Sequence, residues 1–434
     1  MHSPTSSAVS RSVRRRLAVK HGPESNLPFE VVVVGGGPAG AALATLLQRD
    51  GHRCLVVEHS KFPRYHIGES LIPHTYGVLD RLGLLPALKA SHFPAKHSVR
   101  FVSPSGAQSD PFYFSEVLEG EQARTWQVER SEFDQMCLDN ARDSGVEVRM
   151  ATRVSNVLFD NGRAVGVRVQ PSGGEPYEVA TRVVVDASGR ATVIGSQLGL
   201  KGPVPGLEKA SYWSYYRGGQ RGTGIDAGET TIYVIAERGW FWYIPLPNDI
   251  VSVGIVASPD YLFAATDKID DMFTREVMAC RPLSERLASA EQVAAIRGTR
   301  QLAYQNRDTC GDGWVMVGDA RGFLDPIYSS GLFLALASAE LAADCVHEAL
   351  EAGDPSAARL GAFEPTLQSG LDVIQRLISA FYDQDFSFRE FARRFPDQRA
   401  ALIDCLVGDV VGKDMTSFLT ALEQMVAPPQ AVVS

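Results

Sequence analysis

Three glycines near the start of the chain have a spacing that suits contact with a pyrophosphate. Gly35, Gly37 and Gly40 follow a run of valines and open a segment rich in alanine and leucine. The first glycine permits a tight turn, the second lets the backbone approach the phosphates and the third allows close helix–strand packing. Glu58 ends the next apolar run, where a carboxylate can accept hydrogen bonds from both ribose hydroxyls of adenosine. This combination predicts a dinucleotide site, to which we also assign Ala39.

A second group of residues, around position 320, favours FAD over NAD. Asp319 follows an apolar strand, where its carboxylate can accept hydrogen bonds from ribityl hydroxyls or serve only as a turn cap. Ser330 and Gly331 open a long helix, and a helix N-terminus attracts negative charge on a reduced flavin ring or on a small anion beside it. Leu332, in the same first turn, is also assigned to the cofactor. Arg130 is either a cofactor ligand or part of a structural ion pair.

The third feature is an aromatic segment in the middle of the chain, with Trp240, Trp242 and Pro245 in the sequence WFWYIP. Bulky rings between a flavin and a substrate cavity would prevent direct oxygen transfer and let only a small oxidant pass. The alternative is an ordinary strand whose aromatic residues belong to the core.

The elements around these residues predict an α/β fold. A β-branched run, the glycine turn, a helix and a second apolar strand form one βαβ unit, and two later apolar runs continue the same sheet. Residues 206–294 alternate aromatic and β-branched residues as in an antiparallel sheet, and the chain is mostly helical from Ser330 to about Met425. We expect a discontinuous Rossmann-like FAD-binding domain over residues 29–95, 125–205 and 295–350. An inserted β-sheet substrate subdomain is expected over 96–124 and 206–294, a C-terminal helical region over 351–434 and a disordered tail over 1–28.

Composition excludes several other classes of protein. The chain has 434 residues and a net charge of −9, which argues against nucleic-acid binding. Its six cysteines are scattered, without the spacing of metal ligands, so we expect reduced thiols, a cytoplasmic protein and no metal site. No apolar run is long enough to span a membrane, and no apolar segment follows the arginine-rich N-terminus as in a secretory signal.

Residues 29 to about 350 resemble the FADH2-dependent halogenases, within the p-hydroxybenzoate-hydroxylase-type flavoproteins. The resemblance includes the aromatic signature WxWxIP and three further motifs, which are His66-Ile67-Gly68-Glu69-Ser70, Asp186-Ala187-Ser188-Gly189-Arg190 and Gly318-Asp319. The segment Phe93-Pro94-Ala95-Lys96 and the short C-terminal part resemble the branch that acts on phenols and pyrroles, in part on carrier proteins.

The resemblance implies a division of labour between two sites. Reduced FAD and O2 form a hydroperoxide, and chloride or bromide attacks it to give hypohalous acid. This oxidant passes through a tunnel to Lys96, which either hydrogen-bonds it or forms a chloramine and directs the halogen onto an electron-rich aromatic ring. Ser330 and Gly331 match the halide-binding pair. Burial would lower the pKa of Lys96 towards the neutral amine that the chloramine route needs, although a lysine is by type most often a solvated surface residue.

One departure concerns the substrate. Tyr328 stands where tryptophan halogenases carry a glutamate, which speaks against free tryptophan and for a phenol or pyrrole, free or on an acyl-carrier protein, in secondary-metabolite biosynthesis. Tyr328 would be a cavity wall rather than a proton donor. The sequence has no second glycine fingerprint for NAD(P)H, and the family takes FADH2 from a separate flavin reductase. The alternatives are an FAD-dependent monooxygenase or oxidoreductase reduced directly by NADPH, and a non-catalytic flavoprotein that binds a ligand or carrier protein.

Overall fold

A computed structural model describes residues 28–235, 239–263, 268–383 and 385–426. The tail expected over residues 1–28 therefore lies outside the described residues, apart from Pro28. The α-helices are α1 Pro38–Arg49, α2 Thr75–Arg81, α3 Leu85–Ala90, α4 Arg130–Asp143, α5 Val193–Leu198, α6 Pro259–Phe263, α7 Ile269–Ala279, α8 Arg281–Arg286, α9 Ser330–Glu351, α10 Ala357–Leu360, α11 Glu364–Tyr382, α12 Phe388–Arg394, α13 Arg399–Val407 and α14 Thr416–Glu423.

The strands form one mainly parallel sheet, one large mixed sheet and three small sheets. In chain order they are β1 Val31–Val34, β2 Cys54–Val57, β3 Ala95–Lys96, β4 Ser98–Val102, β5 Phe112–Tyr113, β6 Thr125–Trp126, β7 Glu147–Arg149, β8 Thr152–Asp160, β9 Arg163–Pro171, β10 Tyr177–Ala180, β11 Val183–Asp186, β12 Lys201–Gly202, β13 Ala210–Arg217, β14 Thr230–Ile235, β15 Gly239–Pro245, β16 Ile250–Ala257, β17 Glu291–Gln292, β18 Arg297–Thr299, β19 Tyr304–Asn306, β20 Cys310–Gly311, β21 Trp314–Met316 and β22 Gly322–Phe323.

The mainly parallel sheet has the strand order β20-β21-β11-β1-β2-β7. Its central strands are valine-rich and fully buried because both faces are covered, as expected for parallel strands. Helices α1, α4 and α9 cover one face. The three-stranded sheet β10-β9-β8, which the sequence analysis did not predict, covers the other. The prediction of an α/β fold built on a Rossmann-like sheet from distant chain segments is confirmed.

The large sheet has the order β17-β13-β16-β15-β14-β4-β5, with β18 also paired to β13. Strand β15 carries the aromatic signature and alternates between the two faces of this sheet. Trp240, Trp242 and Ile244 enter the core beneath the C-terminal helices α11, α13 and α14. Phe241 and Tyr243 enter a separate core that helix α7 covers. The inserted antiparallel sheet and the C-terminal helical region are thus both present.

All six cysteines lie in the described part of the chain and are unpaired, three of them buried. Within the described ranges, no helix is long and apolar enough to cross a bilayer.

Candidate active site

The glycine turn packs too closely against the neighbouring backbone to accept a side chain at its first or third glycine. Gly35 has φ +106°, and a Cβ there would lie 2.4 Å from the carbonyl oxygen of Ala187. A Cβ on Gly40 would lie 2.1 Å from the carbonyl oxygen of Gly35, so helix α1 can pack this closely only with glycine. At Gly37 the nearest atom, on Arg64, is 3.4 Å away, which leaves the middle of the turn comparatively open. This geometry fits a dinucleotide at the N-terminus of α1.

Glu58 fixes the second element of the nucleotide site. Its side chain follows β2 directly, and one carboxylate oxygen accepts a 2.8 Å hydrogen bond from the amide of Gly36, while the other accepts a 2.7 Å bond from the amide of Ser60. These bonds hold the carboxylate beside the glycine turn, where the oxygen that Gly36 binds keeps a lone pair for a ribose hydroxyl, whereas His59 Nδ1 lies 3.0 Å from the other oxygen. Ala39 lies in the first turn of α1 and is buried.

A cleft brings together three of the residues that the sequence assigned to the flavin and the halide. Asp319, Ser330 and Gly331 all line it, with helix α9 on one side and helix α11 on the other. Burial raises the pKa of Asp319 to about 6, against the opposing charges of Arg130 and Arg190. A hydroxyl that donates a hydrogen bond to this carboxylate would stabilise its charged form.

The N-terminus of α9 has the properties that an anion site needs. Ser329, its N-cap, has φ +55° and caps no helical amide with its side chain. The first amides of this 22-residue helix therefore lack a side-chain acceptor. A Cβ on Gly331 would lie 3.1 Å from the ring of Phe323, so a larger residue would crowd the same space. Leu332 is buried in the core below.

Arg130 is occupied mainly by protein acceptors. It donates two hydrogen bonds, of 2.7 and 3.1 Å, to Asp134, and its Nη1 donates to the carbonyls of Ile67 and Gly68. Arg64 donates to the same Asp134 carboxylate at 3.1 Å. The structural ion pair that the sequence left open is therefore present, and among the described residues one N–H of Nη2 has no protein acceptor to bind.

The Asp186 side chain, at the start of the Asp186–Arg190 motif, accepts hydrogen bonds only from backbone and side-chain groups of its own turn in the described structure. The Asp186 carboxylate accepts hydrogen bonds from the amides of Ser188 and Ile194, at 3.0 and 2.7 Å, and so fixes the turn from β11 into α5. Arg190, at the end of the motif, donates to the carbonyls of Leu302 and Gln301. These contacts join the parallel sheet to the segment that leads to Asp319.

Lys96 is fully buried, with 0% of the residue exposed. It lies in β3, opposite Thr125 of β6. Its Nζ donates a 2.8 Å hydrogen bond to Ser70 Oγ and a 3.0 Å bond to the carbonyl of Leu71. Burial alone lowers the pKa of Lys96 from 10.5 to about 7, because no carboxylate compensates its charge.

The surroundings of this amine are polar but incompletely paired. The Nζ of Lys96 lies 5.5 Å from the centre of the Phe114 ring, which packs in the same core as the two tryptophans of β15. Nearby, Thr125 Oγ1 and Gln127 Oε1 are buried without a hydrogen-bond partner in the described residues. Such atoms cost free energy unless a water molecule or another polar group binds them.

Glu69 is a buried acid that the sequence analysis quoted only as part of a motif. Its Oε1 accepts a 2.6 Å hydrogen bond from the hydroxyl of Tyr215, and its Oε2 has no partner among the described residues. Burial raises its pKa to about 7. Tyr215 also contacts Tyr65, whose ring is 42% exposed, so a chain of hydroxyls leads from solvent to this carboxyl. No signal in the sequence marked Tyr215 or Tyr65.

Trp240 and Trp242 of the aromatic signature lie in the same buried core as Tyr328. Trp240 donates to the hydroxyl of Tyr382 at 2.9 Å, and that hydroxyl donates to Asp325 at 2.9 Å. Trp242 donates to Ser252 at 3.0 Å. The hydroxyl of Tyr328 is taken up by the carbonyl of Leu377, 3.2 Å away, and its ring packs edge-on against Phe381; Pro245 ends β15 and is buried.

Taken together, the predicted residues form two groups. Asp319, Ser330 and Gly331 share one cleft, whereas Lys96 is buried among a different set of segments. Sequence reasoning missed most of the partners of Lys96, because Thr125, Leu71 and Phe114 are distant in the chain and ordinary in type. Ser70 alone had a signal, as the last residue of a quoted motif.

One described group of residues has the composition of metal ligands. His52, His347 and Glu351 bring one nitrogen or oxygen each to within 4.8 Å of one another. The two imidazoles, however, lie 2.9 Å apart in a direct hydrogen bond, which satisfies both nitrogens.

Comparison with known proteins agrees with this geometry. Residues 28–224 match the family described as FAD binding domain. A brominase of 1H-pyrrole-2-carbonyl peptidyl-carrier protein from Pseudoalteromonas luteoviolacea is 31% identical over 404 residues, or 91% of this chain and 97% of that protein. A chlorinase of the same carrier-bound pyrrole from Pseudomonas fluorescens is 28% identical over 93% of this chain and 94% of that protein.

Solved structures include the flavin-dependent brominase Bmp2, which superposes with a TM-score of 0.81 at 28% identity and covers 91% of this chain and 98% of its own. These similarities favour halogenation over monooxygenation on the same scaffold. They also extend past the FAD-binding segment into the large sheet and the C-terminal helices. The chain is therefore a member of the flavin-dependent halogenases, enzymes of oxidoreductase type that bind FAD.

Proposed function

We propose that this halogenase transfers chlorine or bromine, through the amine of Lys96, to a pyrrole or phenol ring held on a carrier protein. The observation that carries the proposal is the burial of Lys96 without a carboxylate partner. Desolvation favours the neutral amine, and only the neutral amine has a lone pair that can accept a halogen.

The transfer itself balances in two steps. The amine takes the halogen from hypohalous acid and forms an N–halogen bond, and the displaced hydroxide leaves with an amine proton as water. The ring then attacks the halogen, loses its own proton and regenerates the amine. Reduced FAD, when bound, would supply two electrons to O2, and the activated oxygen would oxidise the halide to hypohalous acid with water as the second product. The wall that includes Trp240, Trp242 and Tyr328 supports a separation of that chemistry from the ring to be halogenated.

The halide would lie at the N-terminus of α9. The amides that follow Ser329 face no side-chain cap, and the absence of a side chain on Gly331 leaves space beside them. Their partial positive charge suits chloride or bromide. Gly35, Gly37, Gly40, Ala39 and Glu58 would hold the adenosine half of FAD, and Asp319, Leu332 and the free N–H of Arg130 the flavin half.

The carrier-bound substrate is supported by the two relatives that act on a pyrrole carried by a peptidyl-carrier protein. An aromatic wall in place of a glutamate at position 328 supports a ring that its own nitrogen or hydroxyl activates. We further propose that a separate cytoplasmic reductase supplies FADH2, since the sequence has only one glycine fingerprint. The enzyme would then serve a secondary-metabolite pathway.

The experiment is mass spectrometry of pyrrole and phenol substrates, free and carrier-bound, incubated with the protein, a flavin reductase, NADH, FAD and either halide. A product with the isotope pattern of chlorine or bromine on the carrier-bound ring is expected with wild type. The Lys96→Ala variant should lose the product but still bind FAD and still consume NADH and O2. Product formation by Lys96→Ala, or halogenation of free rings only, would overturn the corresponding part of the proposal.

A further inference from the structure

The nitrogen of Lys96 is held from two sides by one short segment of chain. Ser70 Oγ accepts at 2.8 Å and the carbonyl of Leu71 accepts at 3.0 Å. A carbonyl oxygen can only accept a hydrogen bond, so the Leu71 contact always consumes one N–H. A neutral amine has two N–H groups and one lone pair. If Ser70 takes the second N–H, the lone pair must occupy the remaining tetrahedral position.

The hydroxyl of Ser70 is itself held in place by a second pair of residues. It lies 3.1 Å from Thr230 Oγ1, which accepts a 2.8 Å hydrogen bond from Gln127 Nε2. The other hydrogen of that amide group goes to the carbonyl of Gly228, 2.9 Å away. Both hydrogens of Gln127 Nε2 are therefore used, and Gln127 cannot release Thr230 without losing a buried bond. Ser70 and Thr230 are both at least 95% buried.

Resting on the function proposed above, we propose that Ser70 is a positioning residue for halogen transfer. With the Leu71 carbonyl it takes both hydrogens of the Lys96 amine and so directs the lone pair to the open position, while Thr230 and Gln127 keep its hydroxyl in place. Ser70 does not touch the halogen or the ring and acts only through Lys96.

The other ionisable groups near the hydrogen-bond chain of Ser70, Thr230 and Gln127 have partners of their own, so a pH titration can be attributed to Lys96. Glu69 is bound by Tyr215, and Glu229 pairs with Arg100 at 2.9 Å. Two further ionisable groups lie on adjoining elements. His97 interacts electrostatically with Arg124 and Asp226, and Asp226 accepts a 2.8 Å hydrogen bond from Tyr113.

The test measures both the reaction and the amine. In Ser70→Ala, kcat for halogenation should fall by about 10-fold or more, because the amine can rotate and one acceptor is lost. KM for the carrier-bound substrate should stay within about twofold, since Ser70 makes no contact with substrate. Ser70→Thr, which keeps the hydroxyl, should recover most of kcat. In kcat, the double variant Ser70→Ala/Thr230→Val should be no worse than Ser70→Ala, because Thr230 reaches Lys96 only through Ser70, and the lost Gln127 bond should lower stability instead.

The amine is followed by NMR of protein labelled with 13Cε-lysine, with the Lys96 signal assigned from Lys96→Arg. The charged form loses an acceptor in Ser70→Ala, so the titration midpoint of Lys96 should move down by about one pH unit. Thr231→Val is the matched control. Thr231 is the next residue on β14 and is equally buried, but its hydroxyl contacts Arg286 and Glu229 instead.

Thr231→Val should leave both the midpoint and kcat of a correctly folded enzyme unchanged. An unshifted midpoint together with normal kcat in Ser70→Ala would overturn the positioning role, even if Lys96→Ala is inactive. Activity of Lys96→Ala would instead refute the function proposed above, and the NMR midpoint would still report whether Ser70 holds the amine. The two failures are therefore distinguishable.

Discussion

Placing a negative charge beside Lys96 should lower the rate of halogenation at neutral pH and leave the rate at alkaline pH unchanged. Thr125 is the position for this change. It lies directly opposite Lys96 in the β3–β6 pair, and its Oγ1 has no partner among the described residues. Cross-strand neighbours have Cβ atoms about 4.5–5.5 Å apart, so the carboxylate of Thr125→Asp would come close to the lysine.

The expected magnitude follows from the protonation of the amine. With a pKa of about 7, roughly three-quarters of Lys96 is neutral at about pH 7.5. A carboxylate within about 4–6 Å raises the pKa of a lysine by about one to two units in such a site. The neutral fraction then falls to between about one-quarter and 3%, and halogenation should fall by about 3-fold to 25-fold.

The assay is the initial rate of halogenated product, measured from about pH 6 to pH 10 with reductase, FADH2 and halide in excess. Thr125→Asn, equal in size and uncharged, is the control and should follow the wild-type profile. Thr125→Asp should recover its rate above about pH 9, as Lys96 again loses its proton. If the Asp and Asn variants have the same pH midpoint, the neutral amine is not the species that transfers the halogen and the reasoning fails.

Three further predictions concern stability and cofactor binding. The folded-state pKa of Lys96 lies below its unfolded value of 10.5, so stability from this group rises as pH rises from about 7 to 10.5 and is constant below 7. Lys96→Met should therefore raise the free energy of unfolding at neutral pH by about 2–4 kcal/mol and flatten its pH dependence in urea titrations. An unchanged stability would contradict the burial of an uncompensated amine. Gly40→Ala places a Cβ 2.1 Å from the carbonyl of Gly35, so FAD should no longer copurify and the melting temperature should fall by several degrees; normal flavin content would show that the turn can yield. Asp319→Ala should weaken FAD binding by about 10-fold in fluorescence titrations, since a buried acceptor is lost, and an unaltered Kd would place the ribityl chain elsewhere.

The sequence predicted best what depends on short-range pattern. The valine runs of β1 and β11 and the glycine turn were located to within a residue, because strand burial and positive φ leave direct marks on residue type. The alternation of aromatic and β-branched residues over 206–294 likewise predicted an antiparallel sheet, in which β13, β16, β15 and β14 pair in that order.

What the sequence could not predict are contacts between distant segments whose residues are common. The pocket of Lys96 combines positions 70, 71, 114 and 125, and no local pattern relates a threonine in one short strand to a lysine in another. The β8–β10 sheet was missed because its strands are partly exposed and charged, so their alternation is weak. Arg130 stayed ambiguous since Asp134, one helical turn away, was not recognised as its partner.

The hydrogen bonding of Lys96 has a consequence for how the substrate range of such enzymes could be changed. Among the described residues, the hydrogen bonds to its amine come from residues 70 and 71, whereas helix α11 contributes Phe381 and Tyr382 to the core around Trp240. The hydrogen bonds that hold the Lys96 amine and the helices α11–α14 thus belong to separate segments of the sequence. Replacing α11–α14 by the corresponding helices of another halogenase should leave the hydrogen bonds of the Lys96 amine in place, so any change of substrate range in such a chimera can be attributed to the helices.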